Sequence, residues 1–288
     1  MNAPARPSAP STTARRAPQA IHEGFLAHRR YRWAWIAALL AGSSVLLYAL
    51  DDPWPRPNGG TALGYALGTL SAGLIVWLSL LGIRKRRFTD GPWSLKAWVS
   101  AHVWLGLALA IIATLHAGFQ FGWNVHTLAW ALMMGVILSG VWGVVLYQRL
   151  PRQLSDNRAT ASERAMAAAL AESDRALEAA ARPLGDREAA LVRDALATPA
   201  VGRSLGSRLA GRVPRCGTAA ALRALPEGDP ELAPLRDLLA ARSVLLARIR
   251  TNARLKTWLQ VWLLVHVPLT VALLAALLAH IVSVFFYW

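Results

Sequence analysis

The chain has 288 residues, of which 55% are hydrophobic and only 16% are charged, with a formal net charge of +15. Soluble domains average about 25% charged residues, so this composition excludes an ordinary soluble globular protein. The single cysteine, Cys216, excludes an intrachain disulfide, a cysteine-ligated iron–sulfur cluster and covalently attached c-type haem, and we expect it to be a free thiol.

The first segment, 1–32, is rich in Ala, Pro, Ser and Arg, which predicts a disordered basic tail. Five apolar runs, each long enough to cross a membrane, follow along the chain. Their predicted bounds are 33–50, 61–82, 97–119, 125–147 and 257–287. The chain therefore divides into the tail, transmembrane helices one to four (33–149), an insert (150–256) and a fifth transmembrane helix (257–288).

The insert is predicted to be helical. A capping box at Thr160 and Glu163 opens an Ala-rich helix. Asp186 is placed to cap a second helix, and Asp229-Pro230 has the composition of a third helix start. This third helix is expected to run without a break into the fifth span, whereas the residues before it, 199–228, show no clear period.

Basic residues predict the orientation. Thirty of the 31 Lys and Arg residues lie in the tail, in the link after the second span and in the insert, and only Arg56 lies on the other side. Because positive loops stay in the cytoplasm, we expect a multi-pass protein of a bacterial-type inner membrane, with the N-terminus and the insert inside and the C-terminus outside. The same rule accounts for the positive charge without nucleic acid, and no nucleic-acid-binding module is recognisable.

Four of the seven histidines form two matched pairs. His102 and His116 lie on the third span, and His266 and His280 lie on the fifth, and the members of each pair are 14 positions apart. Fourteen residues are nearly four helical turns, so each pair shares one helix face and its members are about 21 Å apart. The two spans run in the same direction, so His102 and His266 form an inner level and His116 and His280 an outer level.

Two imidazoles at one level in a membrane match the axial ligands of a low-spin haem iron. One site made of all four histidines is excluded, because about 21 Å between levels far exceeds a metal–nitrogen bond. Two bare two-histidine metal sites would lack ligands, since the spans contain neither acid nor cysteine. The sequence therefore predicts two non-covalent b-type haems with bis-histidine ligation in a four-helix bundle, with proton relay or purely structural use of the histidines as alternatives.

Other residues fit this hypothesis and also have ordinary explanations. Small residues on the spans leave room for a macrocycle or serve common helix packing: Gly64, Gly68, Gly73, Gly106, Gly135, Gly140 and Gly143. Cations bordering the inner level can meet haem propionates or act only as positive-inside anchors: Arg84, Lys85, Arg254 and Lys256. Polar residues near the outer level are Gln120, Asn124, His126 and Tyr287. For His126 we expect contact with water, and a propionate or a quinone is the alternative.

The two H-x13-H helices resemble the di-haem cytochrome b fold of quinol-oxidising complexes and the ferric-reductase-like transmembrane domain. Pro268, shortly after His266, is similar to a proline in the second ligand helix of cytochrome b, whereas ligands on the third and fifth spans are closer to the ferric-reductase topology. The resemblance covers spans two to five and implies axial roles for His102, His116, His266 and His280. The likeness to cytochrome b561 is looser, since each ligand helix there supplies one histidine.

The chain also departs from these families. Ferric reductases and NADPH oxidases continue into flavin and nicotinamide domains, whereas this sequence stops at Trp288, so a separate donor subunit is expected. The Pro-Glu quinol motif and the additional spans of cytochrome b are not found. The interpretation is an electron-transfer subunit of an oxidoreductase complex rather than a self-contained enzyme. Its expected partners are the lipid bilayer and a cytoplasmic flavin or iron–sulfur protein or an extracytoplasmic cytochrome c. Alternatives are a quinone oxidoreductase subunit with a quinone beside one haem, and a haem-free proton-relay transporter or scaffold.

Overall fold

The computed structural model describes residues 25–54, 56–86, 94–149 and 159–286. The structure is 81% helical, and the described residues contain no strand. After a short 3-10 turn at Phe25–Ala27, the helices are α1 His28–Leu50, α2 Ala62–Ser79, α3 Leu81–Arg86, α4 Leu95–His116, α5 Val125–Arg149, α6 Ala159–Ala181, α7 Asp186–Ala197, α8 Leu205–Ala210, α9 Gly217–Ala224 and α10 Ala233–Phe286.

The described part of the chain contains five helices long and apolar enough to cross a membrane, which confirms that number. Helical structure begins at Phe25, inside the segment predicted as a tail, but the backbone at Arg29, Arg30 and Tyr31 is left-handed. Continuous right-handed helix therefore starts beside the predicted boundary at Trp33. The rest of the predicted tail, 1–24, lies outside the described residues.

The membrane-capable helices pack in two groups. Helix α4 packs against α1 and α2, and α5 packs along α10. Within the described residues the backbones of α4 and α10 do not approach closely, and their side chains meet in the shared core. The shared core contains many small residues, including Ala37 and Ala41 of α1 and Ala101 and Ala108 of α4, which allow the helix backbones to approach closely. Large apolar side chains such as Leu39 and Phe286 are exposed, as lipid contact requires.

Helix α10 joins the insert to the fifth membrane-capable segment. Its 54 residues form one continuous helix, about 80 Å long, which confirms the expectation that the third insert helix continues into the span. It begins at Ala233 rather than at Pro230, because the Asp229 carboxylate caps a turn by accepting from the Glu231 amide at 2.9 Å. Pro268 lies inside the helix.

Four shorter helices, α6 to α9, surround the first half of α10. Their apolar core includes Leu177, Val192, Leu235 and Leu239. Arg242 of α10 is buried in the same region, with its Nε 2.8 Å from the Asp174 carboxylate. Its guanidinium also donates to the carbonyl of Ala195 at 3.2 Å and to the Thr218 hydroxyl. One buried cation therefore joins α6, α7, α9 and α10.

The insert differs in detail from the sequence interpretation. Helix α7 has Gly185 as its N-cap, with no side-chain cap, so Asp186 is its first residue rather than its cap. Helices α8 and α9 lie in the segment 199–228, where the sequence showed no period, because a helix of six or eight residues is too short to display one. The side chain of Thr160, in the predicted capping box, lies outside the described residues.

Candidate functional site

The two histidines of α4 each face a backbone carbonyl of α2. His102 Nδ1 lies 3.1 Å from the Leu78 carbonyl oxygen, and His116 Nδ1 lies 2.8 Å from the Gly64 carbonyl oxygen. Leu78 and Gly64 are 14 residues apart, as the histidines are, because α2 and α4 are antiparallel and in register. A ring nitrogen can approach a carbonyl oxygen only by donating, so both histidines carry their proton on Nδ1.

Both carbonyl acceptors are accessible for a local reason. Gly68 follows Gly64 by one helical turn, and a Cβ built there would lie 2.6 Å from His116 Cε1. The bare glycine therefore leaves room for the imidazole above the Gly64 carbonyl. Leu78 is in the last turn of α2, which ends at Ser79, and terminal carbonyls lack part of their intrahelical bonding.

The two histidines of α10 are held by side chains of α5. His266 Nδ1 lies 2.7 Å from Ser139 Oγ. The Ser139 hydroxyl donates its proton to the Val136 carbonyl at 2.8 Å, so it accepts from His266. His280 Nδ1 is hydrogen-bonded to Nδ1 of His126. Helix α5 thus supplies the Nδ1 partners of the two α10 histidines, as α2 supplies those of the two α4 histidines.

The imidazoles come together as two pairs. At the outer level, the ring centroids of His116 and His280 are 6.0 Å apart, with 74° between the ring planes. At the inner level, His102 and His266 are within electrostatic range of each other, although no ring contact joins them among the described residues. Each histidine is partly buried, and among the described residues no hydrogen bond reaches any of the four Nε2 atoms.

A packed apolar layer separates the two levels. Leu109 lies midway between the two histidines of α4, and Leu273 lies midway between those of α10. Both side chains are buried in the same core cluster, together with Ile112 and Met133. The described residues show no polar chain that crosses this layer.

Three contacts of the site were not found from the sequence. The sequence did not indicate Ser139 or Trp262 as partners, and His126, which is exposed and was expected to contact water, also contacts His280. Trp262 donates through Nε1 to the Ser139 carbonyl at 2.8 Å, and its ring lies 5.3 Å from that of His266. Two features of the sequence could have indicated these partners. Trp262 lies one turn before His266, and His126 and Ser139 are separated along the fourth span by nearly the same distance as His266 and His280 along the fifth.

The glycines predicted to leave space have several different surroundings. Gly68 faces His116, and a Cβ on Gly140 would lie 3.6 Å from Cε1 of His266. Gly143 instead makes room for the Trp262 ring, so it is a packing position. Three others, Gly73, Gly106 and Gly135, have nothing within 4 Å of a built Cβ.

Four of the eight cationic and polar residues predicted around the two levels bond or pack elsewhere. Lys256 pairs with the Glu163 carboxylate at 2.8 Å, and Arg254 packs against Gly211 of the insert. At the other end, Gln120 donates to the Pro57 carbonyl at 3.0 Å. Asn124 accepts from the backbone amide of Thr127 at 2.9 Å and so stabilises the start of α5. Tyr287 lies outside the described residues.

The four histidines can hold a metal through Nε2. A ligating histidine normally donates its other ring N–H to an acceptor, which fixes the ring and its tautomer. Nδ1 of His102, His116 and His266 each has such an oxygen acceptor, and Nδ1 of His280 is hydrogen-bonded to His126. No cluster of three or more His, Cys, Asp or Glu side chains suited to a bare metal ion occurs in the described part of the chain. The donor set therefore fits a cofactor that supplies its own equatorial ligands.

A recess of about 650 Å³ lies elsewhere on the molecule. Its lining residues all belong to α2, and none of them is a histidine: Tyr65, Ala66, Thr69, Leu70, Gly73 and Leu74. These residues follow a different face of α2 from Gly64 and Gly68. An apolar recess on one helix face is typical of a lipid-facing groove, so we assign it no part in the histidine site.

Comparison with known proteins found no family model, no curated protein and no solved structure that matches this chain.

Proposed function

We propose that this chain is a di-haem b-type cytochrome that carries electrons across a membrane as a subunit of a larger redox complex. The observation that carries the proposal is the common arrangement of the four histidines, whose Nδ1 atoms are engaged while no hydrogen bond among the described residues reaches their Nε2 atoms. In this proposal His102 and His266 bind the inner haem iron, and His116 and His280 bind the outer one.

Geometry at the outer level supports this assignment. Two metal–nitrogen bonds of about 2.0–2.1 Å, together with the distance from each ring centroid to its nitrogen, place the centroids of two axial imidazoles roughly 6 Å apart. The His116 and His280 centroids are 6.0 Å apart. The backbones of α4 and α10 do not approach closely, so it is their side chains that meet at this level.

The residues of the chain would orient and tune the cofactors. Bound haem would supply reversible one-electron chemistry at iron. The α2 carbonyls and the Ser139 hydroxyl accept hydrogen bonds from the imidazole Nδ1–H groups, which fixes the rings and makes them more basic ligands. The layer around Leu109 and Leu273 excludes water between the levels.

A haem-free proton relay is the second candidate. It is favoured by the contact between His126 and His280, beside His116, which joins three imidazoles at one level. The apolar layer argues against it, because proton transfer needs continuous hydrogen bonds, and the described residues offer none between the levels. A transmembrane relay therefore has less support than haem ligation.

A reduced-minus-oxidised visible spectrum of the purified full chain, with haem quantified per chain, tests the proposal. We expect b-type bands and two haems. His116→Ala should remove one haem and keep the other, because the inner pair is on a separate level. A colourless, folded preparation from haem-replete cells would refute the proposal and favour the relay. Haem reduction by added quinol alone would identify a quinone as the electron partner.

A further inference from the structure

The short helix α8 lies beside the membrane-capable part of α10. Trp258 donates through Nε1 to the Leu209 carbonyl of α8 at 3.3 Å. Trp258 follows Lys256, the last charged residue of α10, and the Trp142 ring of α5 packs edge-on against it with centroids 6.2 Å apart. Tryptophan is enriched where hydrocarbon meets water, so this pair indicates the level of the membrane surface. Helix α8 is therefore located at the membrane boundary.

Four arginines gather at this place, and we name them the boundary arginines: Arg208, Arg212, Arg250 and Arg254. The first three line one small recess of the insert. Arg254 packs against the same wall, since a Cβ on Gly211 would lie 3.0 Å from its Cδ. Arg208, Arg212 and Arg254 are exposed, and Arg250 is partly exposed.

The boundary arginines are not neutralised within the described structure. Backbone carbonyls position two of them. Arg208 Nε donates to the Gly202 carbonyl at 3.1 Å, and Arg250 Nε donates to the Ala200 carbonyl at 3.0 Å. One terminal nitrogen of Arg250 also contacts the Cys216 sulfur at 3.3 Å. None of the four is ion-paired with a described carboxylate. Positive charge is thus concentrated where an anion can reach it.

The location selects the class of anion. A guanidinium binds phosphate oxygens through two parallel N–H donors, and basic pockets at the cytoplasmic membrane surface bind anionic headgroups. Leu205, the first residue of α8, is 59% exposed, which suits contact with the acyl boundary better than contact with water. We propose that the boundary arginines bind the phosphate of an anionic phospholipid. This site is independent of the histidines.

The test compares the full-length chain in phosphatidylcholine vesicles with and without phosphatidylglycerol. Hydrogen–deuterium exchange of residues 203–212 should slow in the mixed vesicles, and native mass spectrometry should detect retained phosphatidylglycerol. Arg208→Gln with Arg212→Gln should weaken lipid retention about 30-fold and abolish the slowing. Replacing both with Lys keeps the charge but not the paired donors, so lipid retention should fall between that of the wild type and that of the Gln variant, which separates loss of charge from a folding defect.

The matched control is Arg187→Gln with Arg193→Gln, two exposed arginines on α7 of the insert, which should leave both measurements unchanged. Equal losses in the control and in the test variant would overturn the proposal, since the effect would then belong to overall positive charge. Equal slowing on adding inorganic phosphate to phosphatidylcholine vesicles would also overturn it, in favour of a soluble anion. Exchange rates of residues 203–212 that do not change when phosphatidylglycerol is added would overturn it as well.

Discussion

Replacing Gly68 by alanine should selectively disturb the outer pair of histidines. The added Cβ would lie 2.6 Å from Cε1 and 2.8 Å from Nδ1 of His116, where ordinary contacts need about 3.4 Å or more. The imidazole must therefore retreat by most of an ångström. That movement breaks its 2.8 Å hydrogen bond to the Gly64 carbonyl and displaces the ring from its position beside His280.

The size of the effect follows from opposing terms. Overpacking costs about 1–3 kcal/mol, and the lost hydrogen bond adds about 1 kcal/mol. The higher helix propensity of alanine recovers up to about 1 kcal/mol. We expect a net loss of about 1–3 kcal/mol in the affinity for the outer haem, which is about a 5- to 150-fold weaker site.

Gly73→Ala is the matched control, because it lies on the same helix and has nothing within 4 Å of a built Cβ. Haem content per chain and the reduced-minus-oxidised spectrum should show two haems in the wild type and in this control. Under haem-limiting conditions Gly68→Ala should retain one haem. Two haems with unchanged bands and affinity in Gly68→Ala would refute the placement of His116 against α2.

Three further changes test other parts of the structure. Ser139→Ala removes the acceptor for the His266 Nδ1–H group, so this ligand becomes less basic. The reduction potential of the inner haem should then rise by on the order of tens of millivolts in a redox titration, and an unchanged potential would contradict this role of Ser139. Arg242→Ala removes a buried guanidinium that bonds to the Asp174 carboxylate, the Ala195 carbonyl and the Thr218 hydroxyl. Denaturant or thermal unfolding of the insert should therefore show a loss of about 2–4 kcal/mol, and a change within error would mean that the cation is not buried in solution. Burial raises the pKa of Cys216, but the Arg250 hydrogen bond and neighbouring backbone amides outweigh it and lower the pKa below its ordinary value. Its thiolate should therefore be alkylated at a lower pH than a free cysteine, and Arg250→Gln should move the profile upward; identical profiles would refute the contact.

The sequence was sufficient for the features that depend on local composition. Five membrane-capable segments are visible because long apolar runs determine them, and the uninterrupted α10 follows from helix-favouring residues on both sides of Lys256. The equal spacing of His102–His116 and His266–His280 likewise needs only the helical period.

Only the tertiary structure revealed what each imidazole bonds to. The Leu78 and Gly64 carbonyls have no side-chain signature, and they become acceptors only because α2 lies antiparallel to α4 in one register. The pairing of His126 with His280 requires α5 to lie along α10, and no single-helix pattern indicates that contact. Hydropathy and periodicity describe one helix at a time, whereas hydrogen-bond partners between helices depend on their relative rotation and translation. That is why the sequence alone indicated two histidine levels, and packing alone decided how each ring is oriented.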